Sequence, residues 1–556
     1  MTTSTAPPTG PVAAREPYPL RWIALFVLLA AEVMDLLDAL ITNIAAPSIR
    51  ADIGGGASTI QWLGAAYTLA MAVGLITGGR LGDIVGRRRM FLIGALGFTV
   101  GSLLCAVSQS PEMLIVCRGM QGLFGAVMLP QGLGLIKEMF SEQEMSSAFG
   151  MFGPVMGLSS VGGPVLAGWL IDADYFGTGW RMIFLINLPL GLLAVLGGLR
   201  FLPESRSARP PRLDLVGVVL AGLASLLVVY PLVQGRELGW PAWTFVSMAV
   251  AVALFGFFGW YEARKRRMGG DPLVEPGLFR KRGFTGGLIV GIVFFAGISG
   301  FSLVFSLFTQ LGLGYSPLKA GLVGLPLSVG MVGGFGVAQA FQKFGRTVIH
   351  AGIVVMAAGV VAVVVTLHLA GVDVSPWQLI PALTLTGLGM GVLMAPFFAI
   401  VLAGVETHET GSASGALTAV QQLGSALGVA VLGTLFFGFL GGHVASATDA
   451  VAPRTLAAAG VEGPARDHLV AALRTCGHDR AAAKDQEQVP PSCVRLEGEL
   501  RTAEAPVRLA AVRAAEQSAK RGFGQSMNLT LWIEVGLLAL TFGTAFLLPL
   551  RARPEE

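Results

Sequence analysis

The sequence predicts an all-α integral membrane protein in which fourteen transmembrane helices form two pseudo-symmetric six-helix bundles and one inserted helix pair. The chain has 556 residues, of which 53% are hydrophobic and only 13% are charged. This composition is typical of polytopic membrane proteins and excludes an ordinary soluble domain. Fourteen apolar segments have about the length that a bilayer core requires, and short motifs recur in the two ends of the chain.

The predicted helices follow one another through short loops, except for one long segment before the last helix. Residues 1–19 are rich in Thr, Ala and Pro, and we expect them to form a disordered cytoplasmic tail. The predicted spans are 22–44, 59–79, 89–108, 112–136, 145–171, 182–202, 213–233, 242–262, 285–308, 318–341, 347–370, 378–402, 413–440 and 528–549.

The distribution of Lys and Arg gives the expected orientation. They are concentrated in the two tails and in the loops on the same side, whereas the short loops on the other side contain only Arg50, Arg181, Arg236 and Lys319. The positive-inside rule therefore predicts that both termini lie in the cytoplasm of a cell-membrane protein. Residues 441–527 then form a long extracytoplasmic loop, to which the rule does not apply.

An internal repeat predicts the two bundles. The Ser-Ala-x-Gly pattern of residues 147–150 recurs at 412–415, and Gly-Arg at 86–87 recurs at 345–346. Both matches correspond to a shift of eight helices, although Gly- and Ala-rich helices also resemble one another by chance. The predicted units are 20–203, an inserted pair at 204–264, and 265–556. Paired bundles of this kind place their substrate site at the interface near the midplane.

The loop after predicted helix 2 reads Gly-Gly-Arg-Leu-Gly-Asp-Ile-Val-Gly-Arg-Arg-Arg over residues 78–89. Arginine cannot lie in hydrocarbon, and we expect the glycines to let a short loop turn tightly. A simple cytoplasmic anchor accounts for the arginines at 87–89 but not for the spacing of Gly82, Asp83 and Gly86.

That spacing resembles the G-x-L-x-D-x-x-G-R-R/K loop of the major facilitator superfamily. The resemblance implies a cytoplasmic gating latch in which Asp83 and the arginines join helix ends. The implied gating residues are Gly79, Gly82, Asp83, Gly86, Arg87 and Arg88.

Predicted helix 1 contains three carboxylates, Glu32, Asp35 and Asp38. An ionisable group inside a membrane span is expensive and indicates function by default, although it can also pair structurally with a neighbouring helix. The segment 37–47 resembles the L-D-x-T-I-V-N-V-A-L-P signature of the fourteen-helix drug/proton antiporters, with Asp38 and Asn43 matching. The resemblance implies that Asp38 is the principal proton carrier, Asp35 its rival, and that Asp35 and Asn43 face the substrate cavity.

Predicted helix 4 contains Arg118, three residues before Gln121 on the same helical face. The R-x-x-Q-G spacing resembles the helix-4 motif of the same family, which implies a role for Arg118 in proton coupling and for Gln121 in the cavity. The alternative is that Arg118 snorkels to the membrane surface.

Predicted helix 5 is rich in glycine and proline, including Gly157, Gly162, Gly163 and Pro164. Such residues weaken and kink a helix, which membranes tolerate. The run 157–164 resembles the helix-5 motif of antiporters, which implies export rather than uptake. Close helix packing is the alternative explanation.

Three further features complete the sequence pattern. The segment 179–189 resembles a G-W-R-x-I-F-x-I-N-x-P signature of the fourteen-helix branch, for which an interfacial anchor role is sufficient. Gln421 and Gln422 in predicted helix 13 line the cavity or join helices. Cys476 and Cys493 lie in the extracytoplasmic loop, where we expect a disulfide, with two free thiols as the alternative.

Together these features predict a proton-coupled antiporter that exports amphiphilic organic compounds such as drugs, antibiotics or a secondary metabolite. We expect a monomer in the lipid bilayer, with protons and a small, cationic substrate as partners. We expect no nucleic acid, metal, cofactor or enzymatic activity, because no metal-ligand cluster, catalytic triad or phosphate-binding loop is present. A dedicated exporter of one metabolite, a non-transporting receptor or scaffold, and a membrane enzyme are the alternatives.

Overall fold

A computed structural model describes residues 18–141, 144, 148, 151–206, 212–371, 374–403, 405, 410–483 and 489–550. Within these ranges the chain is helical and contains no strand. The first bundle consists of α1 (Arg21–Ile53), α2 (Ala57–Val85), α3 (Arg87–Ala106), α4 (Pro111–Met139), α5 (Phe152–Asp172) and α6 (Asn187–Phe201). A short helical segment, Met182–Leu185, leads into α6.

Two helices, α7 (Leu215–Leu238) and α8 (Ala242–Arg267), follow the first bundle. The second bundle consists of α9 (Arg282–Leu307), α10 (Pro317–Phe341), α11 (Arg346–Ala370), α12 (Pro376–Leu402), α13 (Thr410–Ala457) and α16 (Ala505–Thr544). Two shorter helices, α14 (Gly463–Ala482) and α15 (Pro491–Thr502), lie between α13 and α16.

Twelve helices of the described part are long and apolar enough to cross a membrane. The two predicted spans outside this set are α1 and α5. α1 has three carboxylates within its apolar stretch, which is more charged residues than this set admits. Part of the predicted helix 5, including most of residues 145–150, lies outside the described residues. The count of fourteen transmembrane helices therefore remains a prediction.

The two bundles use the same pattern of helix packing. In the first bundle α1 packs against α5 and α6, α2 against α4, and α3 against α4 and α6. In the second bundle the corresponding pairs are in contact, namely α9 with α13 and α16, α10 with α12, and α11 with α12 and α16. The repeated Gly-Arg pair also has the same place in both bundles, because Gly86 and Gly345 both have positive φ and both precede the first residue of a helix. The exact domain limits remain a prediction.

The bundles meet along two helix pairs, α2 with α13 and α5 with α10, and α7 lies against both α2 and α13. We call the end of the molecule that carries residues 80–89 the arginine-rich end, and the opposite end the far end. At the far end, Ser306 on α9 donates to the carbonyl of Asn43 on α1 over 2.8 Å. There too, Gly321 of α10 packs against the carbonyl of Pro164 of α5. These contacts close the far end.

The described residues of the predicted long loop at 441–527 form a small helical subdomain. α13 continues to Ala457, α16 begins at Ala505, and both extensions pack with α14 and α15 around an apolar core that includes Leu456, Leu473 and Ala511. The predicted ends of helices 13 and 14 were wrong here, because hydropathy records the lipid-facing length of a helix and not its continuation into water.

A disulfide joins the two short helices of this subdomain. Cys476 on α14 and Cys493 on α15 form the disulfide, with their Cα atoms 4.6 Å apart. Beside it, the Ser492 hydroxyl donates to Asp479 over 2.7 Å and holds the pKa of that carboxyl below its usual value.

Candidate functional site

A buried ion pair lies in the middle of the first bundle. Arg118 on α4 donates through Nη1 to Asp38 Oδ2 on α1, and each side chain is only 1% exposed. Arg118 Nε also donates to the carbonyl of Leu63 on α2 over 3.1 Å. Arg118 therefore points into the bundle, and the alternative that it snorkels to the membrane surface is wrong.

Two amides complete the surroundings of Asp38. Gln121 Nε2 and Asn187 Nδ2 each donate to Asp38 Oδ1 over 2.8 Å. Both amides also donate to the hydroxyl of Ser102 on α3, over 2.8 and 3.3 Å. Arg118 Nη1 donates a further bond of 2.7 Å to Gln121 Oε1. Side chains from α1, α3, α4 and α6 thus form one network, and a buried charge is tolerated only when it is paired and bonded in this way.

The second carboxylate of the helix-1 face has a different partner. The hydroxyl of Tyr67 on α2 donates to Asp35 Oδ1, and Asp35 is 5% exposed. The Arg118 guanidinium lies 4.3 Å from the centre of the Tyr67 ring, a distance at which a cation is attracted to the ring face. Tyr67 therefore links the surroundings of Asp35 to the Asp38–Arg118 pair.

Three members of this network carry roles that the sequence did not assign to them. Asn187 was part of a motif read only as an anchor, and Tyr67 and Ser102 were not singled out. Each is a single polar side chain in an apolar segment, which is a weak signal because single hydroxyls and amides also bond within or between helices.

The remaining predicted cavity residues do not join this network. Asn43, Gln421 and Gln422 are half-buried. Gln422 Nε2 on α13 donates to Met71 Sδ on α2 over 3.1 Å, across the contact between the two bundles. Gln121 and Asp35 instead lie inside the first bundle. The structure therefore separates the predicted cavity residues into two groups rather than bringing them together.

Most glycines of the arginine-rich loop lie in a helix and not in the predicted turn. α2 continues through Val85, so that Gly78, Gly79 and Gly82 are helical, and only Gly86 (φ 123°) forms the turn. Gly78 lies against the carbonyl of Ala126 on α4, where a Cβ atom would overlap it. The expected tight loop was wrong because these glycines serve the other common use of glycine, the close approach of two membrane helices.

Arg87 makes the cross-helix contacts of this loop. It is bonded to Asp83 one turn away over 2.9 Å and to Glu138 on α4 over 3.0 Å. It also donates to the carbonyl of Gly134 over 3.2 Å and to the Ser205 hydroxyl over 3.4 Å. Asp83 thus joins the end of α2 to Arg87 at the start of α3, and Arg87 also reaches α4 and the segment after α6.

Two neighbouring arginines extend these contacts. Arg88 donates to the carbonyls of Gly198, over 3.2 Å, and Leu199 on α6. Arg80 donates to the carbonyls of Arg212, over 3.0 Å, and Pro272. Arg80 therefore ties the end of α2 to the chain before α7 and after α8, a link that the sequence did not predict.

The helix-5 motif lies between α1 and the second bundle. Gly163 packs against Leu37 and Leu40 of α1, where a Cβ atom would lie 3.4 and 3.6 Å from them, and the Pro164 carbonyl faces α10. Gly162 faces open space, and Gly157 lies within α5. The motif thus places the helix of Asp38 next to a contact between the two bundles.

The Trp-Arg pair at the start of the sixth span holds the far end of α1. Trp180 Nε1 and Arg181 Nη1 both donate to Asp52 Oδ2, over 2.9 and 2.6 Å. The pair therefore lies at a helix entrance, as an anchor would, and is also bonded to another helix of the protein.

Comparison with known proteins places this geometry in context. A family model described as Major Facilitator Superfamily matches residues 28–429. The chain is 48% identical to the probable actinorhodin transporter of Streptomyces coelicolor, over 99% of this chain and 95% of that protein. It is 36% identical to a puromycin resistance protein of Streptomyces alboniger, over 84% of this chain and 91% of the other.

A solved structure shows the same fold. A bacterial homolog of the human lysosomal transporter Spinster, in an inward-facing and occupied conformation, aligns with a TM-score of 0.59 at 14% identity. The alignment covers 97% of this chain and 100% of that one.

Proposed function

This chain belongs to the major facilitator superfamily, and from that premise we propose that it is a proton-coupled antiporter that exports amphiphilic organic compounds. The observation that carries the proposal is the ion pair of Asp38 and Arg118. A charged side chain at the centre of a span costs about 2.5–3.5 kcal/mol on insertion scales. Two such residues, bonded to each other and to two amides, indicate ion coupling rather than a scaffold.

The orientation follows from the arginines. We propose that the arginine-rich end faces the cytoplasm of the cell membrane, together with both termini. The closed far end is then extracytoplasmic, and we propose that the conformation is inward-facing. In such a state an exporter has released its proton and is ready to take substrate from the cytoplasm.

We propose a role for each residue of the network in the exchange of proton for substrate. In the inward-facing state Asp38 is the ionised partner of Arg118, and Gln121 and Asn187 hold the carboxylate in place. In the outward-facing state a proton taken up by Asp38 would remove its charge, so that Arg118 is released from the pair. The proton gradient then supplies the energy, about 2.3 kcal/mol per charge for each 100 mV, and no cofactor is required.

Substrate breadth distinguishes two forms of the proposal. The first is a multidrug exporter, with Asn43, Gln421 and Gln422 lining a cavity between the bundles. The second is a dedicated exporter of one secondary metabolite. The identity of 48% over 99% of the chain with a probable actinorhodin transporter favours the second form. We propose actinorhodin as the substrate to test first.

The direct experiment uses purified protein in proteoliposomes with an imposed pH gradient. Actinorhodin, puromycin and ethidium are the probes. We expect uphill movement of at least one probe against the proton flow, and its abolition by a protonophore. A scaffold or an enzyme gives no gradient-driven movement of any probe, and that result would refute the proposal. Transport of actinorhodin alone selects the dedicated exporter, whereas transport of all three selects the multidrug form.

A further inference from the structure

A second buried carboxylate lies in the other bundle. Glu534 on α16 is 1% exposed, and both of its carboxylate oxygens are buried without a hydrogen-bond partner among the described residues. Its Oε1 faces Gly297 of α9, where an added Cβ atom would lie only 2.6 Å away. The carboxyl group therefore lies against the backbone of α9, in a contact that only glycine permits.

The elements packed against α16 provide no counter-charge beside Glu534. Apart from Arg282, its first residue, α9 and the turn that follows it as far as Gly312 contain no titratable residue. His443 of α13 contacts Ser526, and His350 of α11 packs against Phe542, each two turns from Glu534 along α16. Eight residues of helix correspond to about 12 Å. The other titratable groups on α11, α13, α14 and α15 within the described part lie at helix ends, on an exposed face or in the helical subdomain: Arg346, His368, Asp449, Arg454, Arg466, Asp467, His468, Arg474, His478, Asp479, Arg480, Arg495, Glu497, Glu499 and Arg501.

Glu534 lies in the same helix pair of the second bundle as Asn187 does in the first bundle. α16 packs against α9 as α6 packs against α1. In the first bundle this helix pair joins Asn187 to Asp38. In the second bundle the corresponding helix pair places Glu534 against Gly297. The carboxylate is thus on the sixth helix instead of the first, and the cation and amides that compensate Asp38 have no counterpart at Glu534 among the described residues.

An isolated carboxylate in this environment is unstable as an anion. Transfer of an unpaired ionised carboxylate into an apolar interior costs far more than its neutralisation by a proton. We propose that Glu534 is a second proton-binding site of this transporter, occupied by a proton in the inward-facing conformation. This proposal rests on the proton-coupled export proposed above. It implies a state in which Asp38 has released its proton while Glu534 retains one.

The consequence is a stoichiometry of two protons per substrate. Glu534 stays a neutral acid while α9 and α16 are in contact, as they are in this conformation. It releases its proton to the cytoplasm in a later step of the inward-facing part of the cycle, in which the two helices separate and water reaches the carboxyl group. At zero membrane potential, each coupled proton multiplies the maximal ratio of an uncharged probe by about tenfold per pH unit, since 1.4 kcal/mol corresponds to a factor of ten. Loss of one proton therefore lowers that ratio about tenfold.

Two measurements on Glu534→Gln test the proposal, with Glu516→Gln as the matched control. Glu516 lies on the same helix α16 but is exposed in the helical subdomain. The first measurement is infrared spectroscopy of the purified protein at neutral pH. We expect a carbonyl-stretch band of a protonated carboxylic acid that is lost in Glu534→Gln and retained in Glu516→Gln. A spectrum that Glu534→Gln does not change would overturn the proposal, whether or not transport is active.

The second measurement is the maximal probe ratio in proteoliposomes under a gradient of one pH unit, with the membrane potential clamped at zero. We expect Glu534→Gln to lower the ratio about tenfold relative to both wild type and Glu516→Gln. An equal ratio in all three proteins refutes the second site while the proposed function stands. A wild-type protein that builds no ratio refutes the proposed function itself.

Discussion

Both bundles bury a carboxylate where their first and sixth helices meet, but they accommodate it in different ways. Asp38 is surrounded by one guanidinium and two amides, whereas Glu534 faces a glycine and has no bonded partner in the described part of the chain. Burial of a carboxylate requires either compensation by donors or neutralisation by a proton. The comparison indicates that the first bundle is built to hold a charge in this conformation and the second to hold a proton.

The largest expected effect comes from removing the cation of the first bundle. Arg118→Ala leaves Asp38 buried without its counter-charge, and breaking a buried pair from one side costs about 3–5 kcal/mol. We expect lower thermal stability and complete loss of gradient-driven efflux. Arg181→Ala, at the exposed far end, is the control and should retain efflux. An Arg118→Ala protein of wild-type stability and activity would show that the pair is not needed.

A smaller effect is expected from removing one amide. Asn187→Ala deletes one of the three donors to Asp38, and the loss of a bond to a buried charged group costs about 1.5–3 kcal/mol. We expect reduced efflux and an altered pH dependence, but a folded protein. The readouts are efflux rate against pH and thermal stability. A change in stability without a change in the pH profile would assign Asn187 a packing role only.

The two Gly-Arg junctions provide a third comparison. Arg87 is bonded to Asp83 and Glu138, whereas Arg346 of the second bundle donates to the carbonyls of Phe546 and Leu548, over 2.9 and 2.8 Å. We expect Arg87→Ala to slow efflux several-fold and Arg346→Ala to slow it less, because Arg87 is paired with carboxylates of two other helices, whereas Arg346 donates to neutral carbonyls.

Within the first junction, Asp83→Asn is expected to impair transport less than Arg87→Ala, without preventing membrane insertion. Asp83, at the end of α2, is paired with Arg87 alone, whereas Arg87, at the start of α3, is also paired with Glu138 on α4. Efflux normalised to the amount of protein in the membrane is the measurement. A stronger effect of Asp83→Asn than of Arg87→Ala would contradict the assignment of the latch to Arg87.

The smallest effect on transport is expected in the helical subdomain. Removing the disulfide with Cys476→Ser should loosen the connection between α14 and α15, because closing a loop of about 17 residues contributes roughly 3 kcal/mol. Limited proteolysis should cut this region faster, while efflux stays near wild type. Lost efflux with an intact membrane part would mean that the subdomain takes part in transport.

The sequence was sufficient to predict those site residues whose types are rare in membrane spans. Asp38 and Arg118 could be identified because charged residues are seldom found in apolar spans, and their motifs placed them on two neighbouring helices. Asn187 and Tyr67 could not be assigned in the same way, because neutral polar residues occur in membrane helices for many reasons. Glu534 was overlooked because no motif surrounds it, although its charge in an apolar segment was itself a signal.

The errors in the fold have two physical causes. Glycine serves both turns and close helix packing, so Gly78 and Gly82 were expected in a loop although they lie in α2. The described residues within 441–527 form helices around an apolar core, which hydropathy does not distinguish from a polar loop.

The most direct test of the account is gradient-driven efflux by Asp38→Asn in proteoliposomes, with Asp35→Asn beside it. The amide removes the site that takes up and releases a proton but keeps the shape of the side chain. We expect Asp38→Asn to permit downhill exchange of the probe while uphill efflux from an imposed pH gradient is lost. Uphill efflux at the wild-type rate by Asp38→Asn, together with its loss in Asp35→Asn, would contradict the account and assign proton coupling to Asp35.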